Sequence, residues 1–498
     1  MSFNYYLSIM VFLPVIGAIV IALVPRLSSK QIKYIAALFT FIPMVISLGL
    51  FAAFDRSAAK AGEMQFEEFV SWIPLINANY HLGVDGLSLP LVLLMSLLGF
   101  LVVLISWKIN LRVREYFAWL LLLETSILGV FTSLDLLLFF IFWEIELIPM
   151  YFLISIWGAG RKEYSAMKYV LYTLFGGALM LAGILSLYFI TGSLSMVEIA
   201  QTDLAPLTTA IPLAGIFFLL LAGFAVKLPV IPLHTWLPDA HTDAPTAVSV
   251  ILAGTLIKMG GYAMIRISVH IFPQAAQDYA PLLLGLAAIN VVYGAVVTLK
   301  QTDIKRLIAY SSISHMGFVL LGIFALGEVS MVGAGLQMFS HGIITGLLFA
   351  VAGIVMHNTK ERDIAKLGGL ARQMPAVAVI FVIAGLGAMG VPTTSGFIAE
   401  VTIFMGAFAS NIVSGVQIYT IICLLGILLA AAYILWLLQR VFFGPVLEKF
   451  NHVLDADRLE KVYCAIFIAF IFLVGLYPMI LSDVFQTGIA PIAALFGG

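Results

Sequence analysis

The stretch GFAVKLPVIPLHTWLPDAHTDAPTAVSVILAGTLIKMGGY, Gly223–Tyr262, places two lysines inside strongly apolar sequence. Lys227 and Lys258 lie on either side of an interruption that begins with Pro229 and Pro232. A lysine at the centre of a bilayer costs ~2.5–3.5 kcal/mol on insertion scales, so such residues are rare and usually functional. Proline cannot donate a backbone hydrogen bond, and an interrupted helix is tolerated at membrane depth only against protein or a water-filled cavity. The stretch therefore predicts an ion path through a membrane.

The composition places the whole chain in a lipid environment. Of its 498 residues 62% are hydrophobic and 10% are charged, whereas soluble domains carry about 25% charged residues. The two cysteines, Cys423 and Cys464, lie in apolar sequence and offer neither a disulfide framework nor metal-ligand spacing. The first apolar segment lacks a basic start and a small-residue cleavage site, so we expect a retained helix. We expect no redox cofactor, metal or nucleic acid to bind this chain.

The apolar segments are the next feature. A window of about 20 residues predicts about fourteen spanning helices, and hence an all-α polytopic membrane protein. We number these segments 1 to 14, with centres near Ile16, Val45, Met95, Leu122, Phe142, Leu179, Leu220, Leu252, Ala288, Gly317, Gly346, Ala388, Leu428 and Phe470.

The basic residues test this count. Most of the 25 lysines and arginines fall in the connections that follow segments 1, 3, 5, 9, 11 and 13. Only Arg56, Lys60 and Arg266 fall on the opposite side, because Lys227 and Lys258 lie within helices. Basic connections face the cytoplasm in most membrane proteins, so both termini are predicted on the outer side.

An internal repeat is predicted from two helix breaks. Segment 7 is interrupted at Lys227–Pro232 and segment 12, five segments later, at Val391–Gly396. An odd offset reverses direction in the membrane, which gives two inverted five-helix repeats as in many transporters. The predicted divisions are residues 1–110 for helices 1–3, 111–270 for helices 4–8, 271–442 for helices 9–13, and 443–498 for helix 14.

Four charged residues in the predicted spans are the main site candidates: Glu144, Lys227, Lys258 and Glu400. An isolated amine in a medium of low polarity tends to lose its proton, and a nearby carboxylate restores it. A glutamate and a lysine whose separation changes therefore form a proton switch. The bland alternative is a fixed structural ion pair, but four charges and two broken helices favour the switch. Gly260, which follows Lys258, is expected to leave room for water near the amine.

Histidine suits the intermediate steps, because it exchanges a proton near neutral pH. The lower-ranking candidates for a proton relay are His234, His241, His315, His341 and Glu124. Each of them has a bland reading as a packing or helix-contact residue. Glu146 lies two residues after Glu144, so it is expected on another helix face and is interpreted as structural or interfacial.

Several motifs resemble one family, the antiporter-like subunits of respiratory complex I, the proton-translocating NADH:quinone oxidoreductase. They are FWEIELIPMY, KLPVIPLHTWLPDAHTDAPTAVSVILAG, LIKMGGY, DIKRLIAYSSISHMGF and QMFSHGI. The resemblance covers the whole chain and is most similar to the M-type members, called subunit 4 or D in organelles. Two features support the M type: the chain lacks the long lateral helix of the L type, and it carries Glu400 where the L and N types resemble each other in carrying lysine.

The resemblance implies roles for the candidate residues. Glu144 matches the family's essential glutamate in segment 5, and Lys227 matches the lysine with which it pairs. Lys258 matches the central lysine of segment 8, and Glu400 matches the terminal acid of segment 12. His234, His241, His315 and His341 match the family's relay histidines more loosely.

The resemblance also implies partners and a location. The expected partners are other membrane-arm subunits, including neighbouring antiporter-like subunits, and the lipid bilayer. NADH, FMN, iron–sulfur clusters and quinone are expected to bind those partner subunits. The expected location is an energy-transducing membrane, the bacterial plasma membrane. Two alternatives stay open at this point: a subunit of a multi-subunit sodium/proton antiporter, and a subunit of a ferredoxin- or hydrogenase-linked membrane complex.

Overall fold

The computed structural model describes residues 5–57, 62–204 and 211–497, and helices dominate all three ranges. Lys60 lies outside the described residues. Segments 1 to 6 are Tyr6–Leu23, Ser29–Ala53, Leu89–Ile105, Val113–Thr132, Leu136–Ile145 with Leu147–Trp157, and Lys162–Thr191. Segments 8 to 11, 13 and 14 are Thr246–Val269, Pro273–Leu299, Ile304–Phe324, Glu328–Thr359, Val416–Val441 and Arg458–Leu476.

Segments 7 and 12 are interrupted, as the sequence predicted. Segment 7 consists of Leu213–Lys227 and Trp236–Asp243, and segment 12 of Pro375–Ala388 and Ser395–Ala409. In segment 7 the proline-rich sequence after Lys227 withdraws the backbone donors that a continuous helix needs. Each break therefore leaves helix ends inside the protein, where their backbone groups need local partners.

Burial separates the central helices from those at the periphery. Segments 8, 10 and 11 are 100%, 94% and 94% buried over their most apolar windows, whereas segments 1 and 2 are 33% and 28% buried. Large apolar side chains such as Phe189 and Leu428 are exposed on peripheral helices. An apolar outer surface around a core that contains charges is the arrangement expected of a polytopic protein in lipid.

The connections predicted to be basic meet on one side, which we call the basic face. Lys33 of segment 2 donates to the Trp107 carbonyl at 2.7 Å. Lys108, which follows segment 3, pairs with Glu460 at the start of segment 14 at 2.6 Å. Arg362 and Asp303 similarly join two other connections of this face at 2.9 Å. The grouping agrees with the predicted order of crossings.

The opposite side, which we call the hairpin face, carries the sheet among the described residues. Strands β1 (Gln65–Ile73) and β2 (Ala78–Val84) form an antiparallel hairpin between segments 2 and 3. The carboxylate of Glu68 in β1 accepts hydrogen bonds from the backbone N–H of Leu7 at 2.7 Å and of Ser8 at 3.1 Å. The hairpin thus satisfies free donors at the start of segment 1. The all-α prediction did not include it.

The last helix also differs from the prediction. Thirteen helices are long and apolar enough to cross a bilayer, and Met479–Phe496 is one of them. However, Asp483 pairs with Arg56 at 3.3 Å and Gln486 donates to Glu328 at 2.7 Å, so this helix lies along the hairpin face. The other twelve, together with the interrupted segments 7 and 12, make up the predicted fourteen crossings.

Candidate functional site

Lys227 is paired with a different glutamate from the one that the sequence suggested. Its ammonium group bonds to Glu146, and both side chains are buried, at 1% and 0% exposure. The hydroxyl of Tyr169, from segment 6, donates to the second oxygen of the same carboxylate. Glu146 was interpreted as structural or interfacial, on the assumption that segment 5 is a regular helix. In the structure one helix ends at Ile145 and the next begins at Leu147.

Pro149 explains this local irregularity. Proline has no N–H to donate to the carbonyl four residues earlier, here that of Ile145. The turn around Glu146 therefore departs from the regular helical direction, and its carboxylate reaches the interior. The ammonium group also lies 5.4 Å from the ring centroid of Trp143. Segment 5 thus surrounds Lys227 with a carboxylate and an aromatic face.

Glu144 is half-buried and has no direct contact with Lys227. Its Oε1 atom is buried without a hydrogen-bonding partner among the described residues. The carboxylate occupies space that Gly177 leaves free, since a Cβ at Gly177 would lie 1.9 Å from Oε1. The predicted pair of Glu144 and Lys227 is therefore not formed in this conformation, although Lys227 is near enough to act on Glu144 electrostatically.

The break in segment 7 is held by residues that the sequence reading passed over. The side chain of Asn290, in segment 9, accepts from the Ile231 N–H at 2.8 Å and donates to the Pro229 carbonyl at 3.2 Å. Trp236 donates its indole N–H to the carbonyl of Val226 at 2.8 Å. These bonds supply partners that the interrupted helix lacks. An asparagine inside an otherwise apolar helix was the available signal.

Lys258 lies at the centre of the bundle and is fully buried. Its ammonium group donates to the carbonyl of Ala253 and lies 2.8 Å from Nδ1 of His341 in segment 11. Ala253 belongs to a π-helical turn, Leu252–Leu256, a rare form that occurs frequently at functional sites. The structure therefore joins two predicted candidates that are far apart in the sequence.

The glycines near Lys258 serve helix packing. A Cβ at Gly260 would lie 2.6 Å from the Leu228 nitrogen, so segment 8 touches the break in segment 7 there. The expectation that Gly260 leaves room for water was therefore wrong. A Cβ at Gly342 would lie 2.6 Å from the Gly254 carbonyl oxygen, which brings segments 8 and 11 together beside Lys258.

A polar chain continues from His341 to Glu400. The rings of His341 and His315 are 5.5 Å apart between centroids, and Nδ1 of His315 lies 3.4 Å from Oε1 of Glu400. All three side chains are buried. Next to them is a cavity of about 10 Å³, close to the ~10–15 Å³ that one water molecule needs. Its polar lining residues are Ser311, His315, Gln337, His341, Thr345 and Glu400.

The remaining candidates lie apart from these contacts. Both ring nitrogens of His241 lack a partner among the described residues, and its ring stacks on Phe349 at 4.7 Å. His234 is buried near the end of the segment 7 break, with its ring 5.5 Å from that of Tyr293. Glu124 is buried in segment 4 with one oxygen unpartnered among the described residues. Their roles in a relay stay predictions.

Replacing Asn290 tests whether the break in segment 7 depends on its side chain. Asn290→Leu would leave the Ile231 N–H and the Pro229 carbonyl unpaired in a buried site, and each such group costs about 1–3 kcal/mol. We expect a clearly lower melting temperature of the purified complex, measured by tryptophan fluorescence. Asn358→Leu is the control, because it removes a hydrogen bond at the exposed basic face. Equal melting temperatures would contradict the role of Asn290.

Comparisons with known proteins agree with this architecture. The family model described as NADH:quinone oxidoreductase/Mrp antiporter, TM, matches residues 133–426. The chain is 40% identical to NADH-quinone oxidoreductase subunit M of Rhodobacter capsulatus, over 97% of this chain and 95% of that relative. It is 39% identical to NAD(P)H-quinone oxidoreductase chain 4 1 of Synechococcus elongatus, over 98% of this chain and 91% of that relative.

Two solved structures share the fold. A chain of respiratory complex I from Thermus thermophilus with bound NADH superimposes with a TM-score of 0.87 at 27% identity, covering 99% of this chain and 100% of that chain. A chain of the Mrp complex from Dietzia sp. DQ12-45-1b gives 0.86 at 19% identity, covering 99% and 98%, which shows the fold alone. The length of the matches and the identities lead to one conclusion. The chain belongs to the NADH:quinone oxidoreductase/Mrp antiporter transmembrane family.

Proposed function

We propose that the chain is the M-type, proton-translocating membrane-arm subunit of an NADH-type quinone oxidoreductase. The observation that carries the proposal is the row of buried groups Lys258, His341, His315 and Glu400, which runs from the centre of the bundle to the break in segment 12. Charged groups inside a membrane protein are expensive and mark ion or proton pathways. A fixed structural role needs one pair, whereas this row alternates groups that can hold and release protons.

The chemistry of the row is a series of short proton transfers. A protonated Lys258 donates toward Nδ1 of His341, whose neutral imidazole accepts the proton. The next transfer passes by the 10 Å³ cavity to His315. Glu400 then takes the proton from the imidazole, 3.4 Å away. Each step exchanges a proton between groups whose balance depends on neighbouring charge, so a change of charge at one end affects the others.

The driving reaction is proposed to occur in partner subunits. Among the described residues, no group of three His, Cys, Asp or Glu side chains could hold a metal ion. NADH, FMN, iron–sulfur clusters and quinone would then bind neighbouring subunits, and electron transfer there would change the charges that this chain senses. The adjoining membrane partners would be other antiporter-like subunits. Glu144, half-buried near the surface of segment 6, is suited to sense such a neighbour.

The orientation belongs to the same proposal. The basic face lies in the cytoplasm of a bacterium and the hairpin face outside, with both termini on the outer side. Residues 111–270 and 271–442 form the two inverted repeats, with breaks in segments 7 and 12 at related positions. A protease or a cysteine-directed reagent added to intact cells should then reach residues of the β1–β2 hairpin and not those of the basic connections.

The relatives favour this proposal over its two alternatives. Proteins named subunit M or chain 4 match at 37–40% identity over nearly the whole chain, whereas the Mrp chain matches at 19%. Purification of the intact complex is the direct test. Flavin and iron–sulfur subunits in it, with NADH-driven proton uptake by inverted membrane vesicles, are expected. Copurification with cation-antiporter subunits and transport without NADH would overturn the proposal.

Glu400 allows a comparison of two conservative changes. Glu400→Gln keeps the shape but removes the proton-binding carboxylate, whereas Glu400→Asp keeps the carboxylate and shortens its stem. We expect NADH-driven proton uptake in vesicles to be near background for Glu400→Gln and partly retained for Glu400→Asp. Quinone reduction by the assembled complex serves as the reference. Equal uptake by the two variants would show that Glu400 does not carry a proton.

A further inference from the structure

Glu146 is the buried acid of segment 5 that the expected pairing does not use. Its side chain is fully buried, and its two oxygens are engaged by Lys227 and by the Tyr169 hydroxyl. Since two partners from segments 6 and 7 converge on it, the carboxylate is part of a built site and not an isolated surface acid. Glu144, two residues earlier, has a buried oxygen with no hydrogen-bonding partner among the described residues.

Two glycines of segment 6 place both acids within reach of one lysine. Gly177 admits the Glu144 carboxylate, because a Cβ there would lie 1.9 Å from its Oε1 atom. The preceding Gly176 packs on Val226, the residue before Lys227, at 3.1 Å from an added Cβ. The ammonium group also sits 5.4 Å from the ring of Trp143, the residue before Glu144. A lysine on its flexible four-carbon stem can therefore turn from one acid to the other.

We propose that Glu146 is a second proton-relay carboxylate and that the Lys227 ammonium moves between Glu146 and Glu144 during turnover. This rests on the proposed function. In the structure the lysine is bound to Glu146, and an unpaired buried carboxylate at Glu144 is costly unless it holds a proton. When the lysine moves to Glu144, that carboxyl releases its proton and Glu146 takes one up. The lysine keeps its charge, so one proton leaves and one enters per movement.

Neutral variants of the two acids test the exchange. Glu146→Gln keeps an oxygen that accepts from Tyr169 but removes the ionic partner, so Lys227 should remain with Glu144. In the purified complex, we expect loss of the infrared carbonyl band of protonated Glu144, which is assigned by its absence in Glu144→Gln. We also expect proton uptake in vesicles to be lost in each variant. An unchanged Glu144 band in Glu146→Gln, or wild-type uptake by that variant, would overturn the exchange.

A pair of glycine variants separates the exchange from simple packing. Gly177→Ala places a methyl group where the Glu144 carboxylate lies, without altering any charge. Gly183→Ala, on the same helix, places a methyl group 2.6 Å from Leu220 of segment 7 and meets no acid. We expect Gly177→Ala to lose proton uptake and Gly183→Ala to retain it. Equal loss in both would assign the effect to helix packing and overturn the exchange.

The proposed function is checked in the same vesicles with Lys258→Arg. If Lys258→Arg lacks uptake but Glu146→Gln retains it, the exchange is wrong and the pump remains. If both variants retain uptake, the relay itself is wrong. The two failures are therefore distinguishable.

Discussion

Lys258→Arg should abolish NADH-driven proton uptake while the complex still assembles. Arginine retains the positive charge but is not deprotonated in proteins, so the variant separates charge from proton transfer. The ammonium group of Lys258 lies 2.8 Å from Nδ1 of His341, and this contact passes the proton onward in the proposed relay. Vesicle uptake measured with a pH-sensitive dye, together with quinone reduction, tests the expectation. Coupled electron transfer should fall with the uptake.

The control for this change is Lys300→Arg, at the exposed end of segment 9 on the basic face. It makes the same chemical substitution outside the buried row, and we expect uptake equal to that of the unaltered complex. If Lys258→Arg also pumps at the unaltered rate, Lys258 supplies only a fixed charge. The relay would then have to bypass segment 8.

Lys227→Met should have the second large effect, on both pumping and stability. Methionine has an unbranched side chain but no charge, so it leaves the Glu146 carboxylate buried with Tyr169 as its remaining partner. Breaking one side of a buried ion pair typically costs about 3–5 kcal/mol. We expect loss of proton uptake and a lower melting temperature of the purified complex.

A double variant separates these two effects. Lys227→Met combined with Glu146→Gln removes both charges, so much of the stability should return while pumping remains absent. The difference between the double and single variants measures the coupling of the pair. Lys366→Met on the exposed basic face is the control for loss of a lysine. Uptake by Lys227→Met at the unaltered rate would exclude Lys227 from the relay.

The fold followed from the sequence because its strongest signals are local. Apolar segments, basic connections and proline-rich breaks gave the crossings and the positions of segments 7 and 12. The helix Met479–Phe496 could not be classified in this way, since its length and hydropathy match those of a spanning helix. Its contacts with Arg56 and Glu328 decide its position, and these residues are distant in the sequence.

The site was predicted in its members more than in its pairs. Lys258 with His341 and Lys227 with Glu146 are contacts between residues 83 and 81 positions apart, which helical spacing within a segment cannot predict. Glu146 was misinterpreted because a two-residue step was treated as a turn away from the interior. Pro149, three residues later, was the signal that a regular period does not apply there.

The helix along the hairpin face has a mechanical consequence. It is tied to Arg56 after segment 2 and to Glu328 at the start of segment 11, and so acts as a strap across distant parts of the bundle. A strap of this kind resists the rocking by which many inverted-repeat transporters open alternately to each side. The chain is thus expected to work as a rigid proton wire, in which hydration and small side-chain rotations act as the valve.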